Sequence, residues 1–141
     1  MKNIIKFILI TLSYTVFCDS IRAGDLQPGN RYKIIRPLYL MAVYKNDNRQ
    51  LSKETAIAYL HAARYANRYF VAFQCKVSEG TIMTIISLAP KVWYLPFSAK
   101  RYFVRLDPDV SRGLNIEFSL DRGLEGILDG LNPELFVRLK D

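Results

Sequence analysis

Two groups of side chains in this sequence have types and spacings that could do chemistry beyond packing. The first is Lys91–Phe103, KVWYLPFSAKRYF, where Trp93, Tyr94, Phe97, Tyr102 and Phe103 interleave with Lys91, Lys100 and Arg101. An aromatic face stacks on a flat or apolar ligand surface, and a neighbouring cation holds an anionic group. Trp93, Tyr94, Lys100 and Arg101 are therefore the predicted binding residues. Arg64 and Arg68, on the basic side of a predicted helix, would extend this surface if that helix packs beside it.

The second group is a scatter of carboxylates. Asp121, Glu125 and Asp129 are spaced by four, which on a helix would gather them on one face for acid–base work. Gly123, Gly126 and Gly130 oppose a helix there. Asp107, Asp109 and Ser111 put oxygens at alternate positions, as a calcium loop does. Such a loop needs glycine at its sixth place and glutamate at its twelfth, and here those places hold Arg112 and Phe118. An Asp-Pro-Asp turn between strands accounts for the same residues.

Other catalytic constellations are missing. His61 is the one histidine, with no local serine or cysteine nucleophile to activate, and reads as a surface residue of the predicted helix. Cys75 alternates with core-facing residues and reads as a small hydrophobe. One histidine and one mature cysteine do not make a zinc site of the usual ligands, and no metal or other cofactor is expected.

The elements that must position these residues begin after an N-terminal leader. Lys2 and Lys6 precede the apolar run Phe7–Phe17, and small residues follow at Ser20 and Ala23. That order is the layout of a secretory signal peptide, here 1–23, and the run is shorter than the roughly 20 apolar residues of a membrane span. The expected location is therefore exported, periplasmic or secreted. Lipid attachment at Cys18, or an uncleaved N-terminal anchor, is the alternative. Bacterial lipoprotein signals place small residues before the cysteine, whereas Phe17 stands there. The chain has no Asn-x-Ser/Thr sequon, which fits a bacterial envelope protein.

Residues 24–141 read as a single β-rich domain. Runs of alternating apolar residues are predicted at 31–44, 69–88, 91–95, 100–106, 115–120 and 135–139. Tyr69–Leu88 reads as a central hairpin, closed by the turn Ser78-Glu79-Gly80-Thr81. Ser52 offers an N-cap for an amphipathic helix over 52–67, whose stripe is Ala56, Tyr59, Leu60, Ala63 and Ala66. Arg112-Gly113-Leu114 recurs as Arg122-Gly123-Leu124, as two turns flanking one strand would. The expected class is β-rich α+β: a small, strongly bent sheet or a partly open barrel with one helix. Short strands with glycine turns look like an SH3-like barrel, a likeness of architecture alone.

Charge adds an asymmetry. The net charge is +7, yet residues 24–100 carry 11 Lys/Arg against 4 Asp/Glu, and 101–141 carry 6 against 8. A basic body suits an anionic partner or contacts between its own halves. The expected function is an exported, non-catalytic binding domain for another protein or an anionic envelope component, with nucleic acid not expected. Two alternatives stand beside it. One is a small envelope hydrolase using carboxylates among Asp107, Asp109, Asp121 and Glu125. The other is an immunity-type partner that neutralises a toxin or enzyme.

Overall fold

The computed structural model describes residues 26–64, 70–90 and 99–141. Within them lie nine strands: β1 Arg31–Ile34, β2 Leu38–Tyr44, β3 Ala56–His61, β4 Val71–Val77, β5 Ile82–Leu88, β6 Arg101–Asp107, β7 Ile116–Ser119, β8 Glu125–Leu128 and β9 Phe136–Arg138. Eight of them form one sheet in the order β4-β2-β3-β7-β6-β5-β1-β9, which no ladder closes into a ring. Among the described residues no helix is long and apolar enough to cross a membrane.

The alternation in the sequence sets which side chains turn inward. Tyr32 and Ile34 on β1, Met83 and Ile85 on β5, and Tyr102, Val104 and Leu106 on β6 are all buried, while Arg31, Lys33 and Arg105 between them are exposed. Side chains two apart on a strand share a face, so each strand contributes one apolar row to a common core. Phe118 and Phe136 meet edge-on within that core, with ring centroids 6.2 Å apart.

Two expectations need correction. The predicted helix over 52–67 is not formed: β3 occupies Ala56–His61, and residues 65–67 fall outside the described chain. Ser52 does start a turn, with Ala56 N–H donating to the Ser52 carbonyl at 2.9 Å and the Ser52 and Thr55 hydroxyls 2.9 Å apart. The chain does not continue from that turn into a helix because the next residues have better partners. Six consecutive pairs, from Tyr44 opposite Ala56 to Tyr39 opposite His61, tie β3 to β2, and β7 pairs on its other side. Ala56, Ala58 and Leu60 face the core in strand alternation, against the modest helix preference of the segment.

The second correction concerns Tyr69–Leu88. Its two arms are strands β4 and β5, and its turn exists, but the arms do not pair with each other. β4 pairs with β2, and β5 pairs with β1 and β6. Arg31 faces Thr84, Lys33 faces Ile82, Leu38 faces Val77 and Tyr39 faces Lys76, so one antiparallel register runs through both ladders. Between them Ile34 N–H donates to the Thr81 carbonyl at 2.9 Å, and Gly80 N–H donates to the Ile34 carbonyl at 2.7 Å. The β1–β2 and β4–β5 segments are thus one long ribbon folded at a corner. Pro37, which has no N–H to give, sits at that break. Because β1 and β2 are separated by three residues but lie near opposite ends of the strand order, the corner bends the sheet back on itself.

The Arg-Gly-Leu pair behaves as punctuation. In both copies arginine and glycine take positive φ (55° and 82°, then 51° and 93°), and the leucine is buried. Asp129-Gly130-Leu131 is a third turn of this kind, with φ of 53° and 93° and a fully buried leucine. Two successive left-handed residues are what a tight turn between antiparallel segments requires.

Candidate functional site

Three strand termini meet at one end of the sheet. β3 and β7 are parallel, Ala58 opposite Ile116 and Tyr59 opposite Glu117, so both end on the same side, at His61 and Ser119. Antiparallel β6 begins there, with Arg101 opposite Ser119, and Leu120 N–H donates to the Lys100 carbonyl at 2.9 Å. Tyr39 and Lys76 continue this row across β2 and β4. The segments just beyond the strands carry the cations Arg64, Lys100 and Arg122, all exposed.

Arg64 and Arg122 line a depression of about 160 Å³ together with His61, Asp121, Ala62 and Leu124. Pockets for whole small molecules run to roughly 300–1,000 Å³, so this one is below that range and has room for a single small group. Its floor is held by the turn after β7: Leu124 N–H donates to the Asp121 carbonyl at 3.0 Å, and Gly123 N–H donates to Glu125 Oε2 at 3.0 Å. Leu124 is buried beneath. Arg122 therefore stands on a fixed turn, in a backbone conformation that glycine or asparagine would adopt with less strain.

His61 is half-buried at the end of β3, not on a helix surface, and its ring centroid lies 6.4 Å from that of Tyr59. Burial holds its imidazole below the usual histidine pKa. Arg122 pushes the same way and Asp121 opposes.

The predicted binding residues fare differently. Arg64 and Lys100 come together at this end of the sheet, although no helix presents Arg64. Arg101 is committed to the fold: its guanidinium reaches Glu117 Oε1 at 2.5 Å and the Pro90 carbonyl at 2.7 Å. Glu117 is only 6 % exposed, so this pairing satisfies a nearly buried carboxylate. Trp93, Tyr94 and Arg68 lie outside the described residues. The sequence reading missed Arg122 and His61 as lining residues. The signal for Arg122 was present in the Arg-Gly-Leu turn, which sets an arginine on a rigid bend.

The carboxylates considered for hydrolysis separate along β6. Asp107 ends that strand and Asp109 follows it, while Asp121 and Glu125 lie past Leu120, beside its start. Six residue steps of strand put these pairs about 20 Å apart. Asp109 accepts the Ser111 N–H at 2.8 Å, and bonds of this kind within its own turn hold its carboxyl below the usual range against the effect of burial. Among the described residues no three His, Cys, Asp or Glu side chains gather where they could hold a metal. Cys75 packs against the core, its thiol 3.8 Å from the Val110 carbonyl, and burial raises its pKa.

No family model, curated protein or solved structure matches this chain. The functional reading therefore rests on the chemistry of its own surface.

Proposed function

We propose that this chain is an exported, non-catalytic binding domain that meets its partner at the strand-end surface around Arg64, Lys100 and Arg122. The observation that carries this reading is the convergence of cations from separate segments at one end of the sheet: Arg64, after β3, and Arg122, after β7, line one depression, and Lys100, before β6, stands at the neighbouring strand start. Arg122 adds weight, because strained backbone at non-glycine residues concentrates at ligand-contact sites. The partner is another protein or an anionic envelope component that offers a carboxylate, phosphate or sulfate to the depression. Trp93, Tyr94 and Arg68 would widen the surface with aromatic and cationic contacts. Export is inferred from the N-terminal order of charge, apolar run and small residues. The SH3-like comparison belongs to this reading as a likeness of architecture, which does not carry function.

The test is affinity capture from the envelope fraction of the exporting cell. Bait proteins are the wild type, the triple variant Arg64→Ala/Lys100→Ala/Arg122→Ala, and Trp93→Ala. The triple variant should lose the captured partner while unfolding as the wild type does. Retention of every partner by a folded triple variant refutes the assignment. NMR titration of His61 gives a second readout. An anion seated beside Arg122 offsets that charge, so the imidazole pKa should rise when the captured partner is added.

A further inference from the structure

A second basic surface lies on the outer side of the sheet, away from the strand-end depression. Arg105 on β6 faces Thr84 on β5, and Thr84 faces Arg31 on β1, so these three side chains share one face. Lys33, the next outward residue on β1, has Ile82 on one flank and Val137 of β9 on the other. Neighbouring strands are about 5 Å apart and alternate residues of one strand about 7 Å apart, so Arg31, Lys33 and Arg105 fall within roughly 12 Å. Lys53 adds a fourth cation at the margin, where with Ile86, Phe103 and Arg105 it lines a shallow hollow of about 300 Å³.

The fold makes no use of these charges. Arg31, Lys33 and Arg105 are exposed, and among the described residues none has an ion-pair partner. Asp107 stands opposite Ile82 on the same face, and Asp141 lines a second hollow with Arg31, Arg138 and Lys140, where cations outnumber it. Asp109 borders the first hollow, but its carboxylate is taken up by its own turn. Aliphatic side chains are mixed in among the cations: Ile86 is 44 % exposed and Val137 45 %.

We infer that this outer face of β1, β5, β6 and β9 docks on an anionic lipid surface. Charge complementarity selects a negative partner. The exposed isoleucine and valine flanking the cations select a bilayer over a purely polar polyanion, because a headgroup layer accepts shallow apolar side chains while its phosphates meet the cations. The face is a sheet surface, not a cleft, which also suits a membrane better than a free anion. It shares no residue with the strand-end surface, and so stands or falls separately from it.

The experiment is vesicle co-sedimentation of the full chain, on phosphatidylcholine alone and on phosphatidylcholine mixed with phosphatidylglycerol. The wild type should prefer the anionic vesicles, and salt should weaken that preference. In Arg31→Gln/Lys33→Gln/Arg105→Gln the preference should fall on the order of a hundredfold, from about a fivefold contribution per basic residue. The N-terminal apolar segment contributes equally to wild type and variant. A control, Arg36→Gln/Lys45→Gln/Arg49→Gln, removes as many charges elsewhere and should keep the preference. An equal loss in both triple variants means attraction by net charge alone, which overturns the inference. So does an unchanged preference in the first variant, or a wild type without preference that instead binds an acidic polypeptide. Should the first triple variant misfold, Lys33→Gln alone, at an exposed unpaired position, must still lower the preference about fivefold.

Discussion

At the scale of single residues, the clearest division is between cations that hold the fold and cations exposed on its surface. Arg101 belongs to the first kind, since its guanidinium is what makes the burial of Glu117 tolerable. Arg101→Ala should destabilise the domain by about 3 kcal/mol, because the carboxylate is left buried without its partner. Urea unfolding measures this, and a change below the error of the midpoint would mean that Glu117 finds water instead. Tyr32 is a second residue whose environment has a measurable consequence. Its ring is fully buried and its hydroxyl donates to Asp129 Oδ2 at 2.8 Å. Burial first, and then the hydrogen bond to Asp129, push its pKa from 10 up to about 12. Below pH 10 both folded and unfolded chains keep this proton. Between pH 10 and 12 the unfolded chain releases it first, so stability should fall as pH rises through that window. Tyr32→Phe should flatten this part of the stability profile, and an identical profile in the variant would assign the alkaline loss to other groups.

At the scale of elements, the three X-Gly-Leu turns show how one local device serves different ends. Each places a leucine in the core after two left-handed residues, and in two of them the first of those is arginine. Arg112 gains something for its strain, as its guanidinium lies 4.2 Å from the Phe73 ring centroid. Arg122 stands instead at the depression. Replacing each by glycine separates the two cases. Arg122→Gly should stabilise the domain by roughly 0.5–1 kcal/mol through relief of the left-handed strain. Arg112→Gly should bring little net change, since the lost stacking offsets the relief. Thermal unfolding of the pair decides it, and equal increases in Tm would show that the Phe73 contact contributes nothing. A stabilising Arg122→Gly that also loses the captured partner would identify the strain as a cost accepted for binding.

At the scale of the whole molecule, the pairing pattern is non-local. The parallel ladder joins Ala58 to Ile116, and the corner ribbon folds β1–β2 against β4–β5. An isolated peptide of residues 69–88 should therefore show no cross-strand NOEs, because its two halves depend on strands elsewhere in the chain. A well-formed hairpin in that peptide would contradict the observed strand order. The sequence alone determined the β-rich class, the break at Pro37, the apolar row on β6, and the role of the Arg-Gly-Leu turns. Each of these is a local property: alternation reports a pleat, and a glycine after a polar residue reports a bend. Residues 56–60 were ambiguous for a definite reason. A spacing of four fits one helical turn and also two strand repeats, so Ala56 and Leu60 share a face either way. Only Ala58 against Tyr59 distinguishes the two, and both are apolar. Tertiary structure decided the rest: that this segment pairs with β2 and β7, that the arms of 69–88 part company, and that Arg101 is held by Glu117. It also gathered Arg64, Lys100 and Arg122 at one end of the sheet. Those outcomes depend on partners tens of residues away, and the physical reason is that a strand's own pattern says which face is buried but not which strand lies beside it.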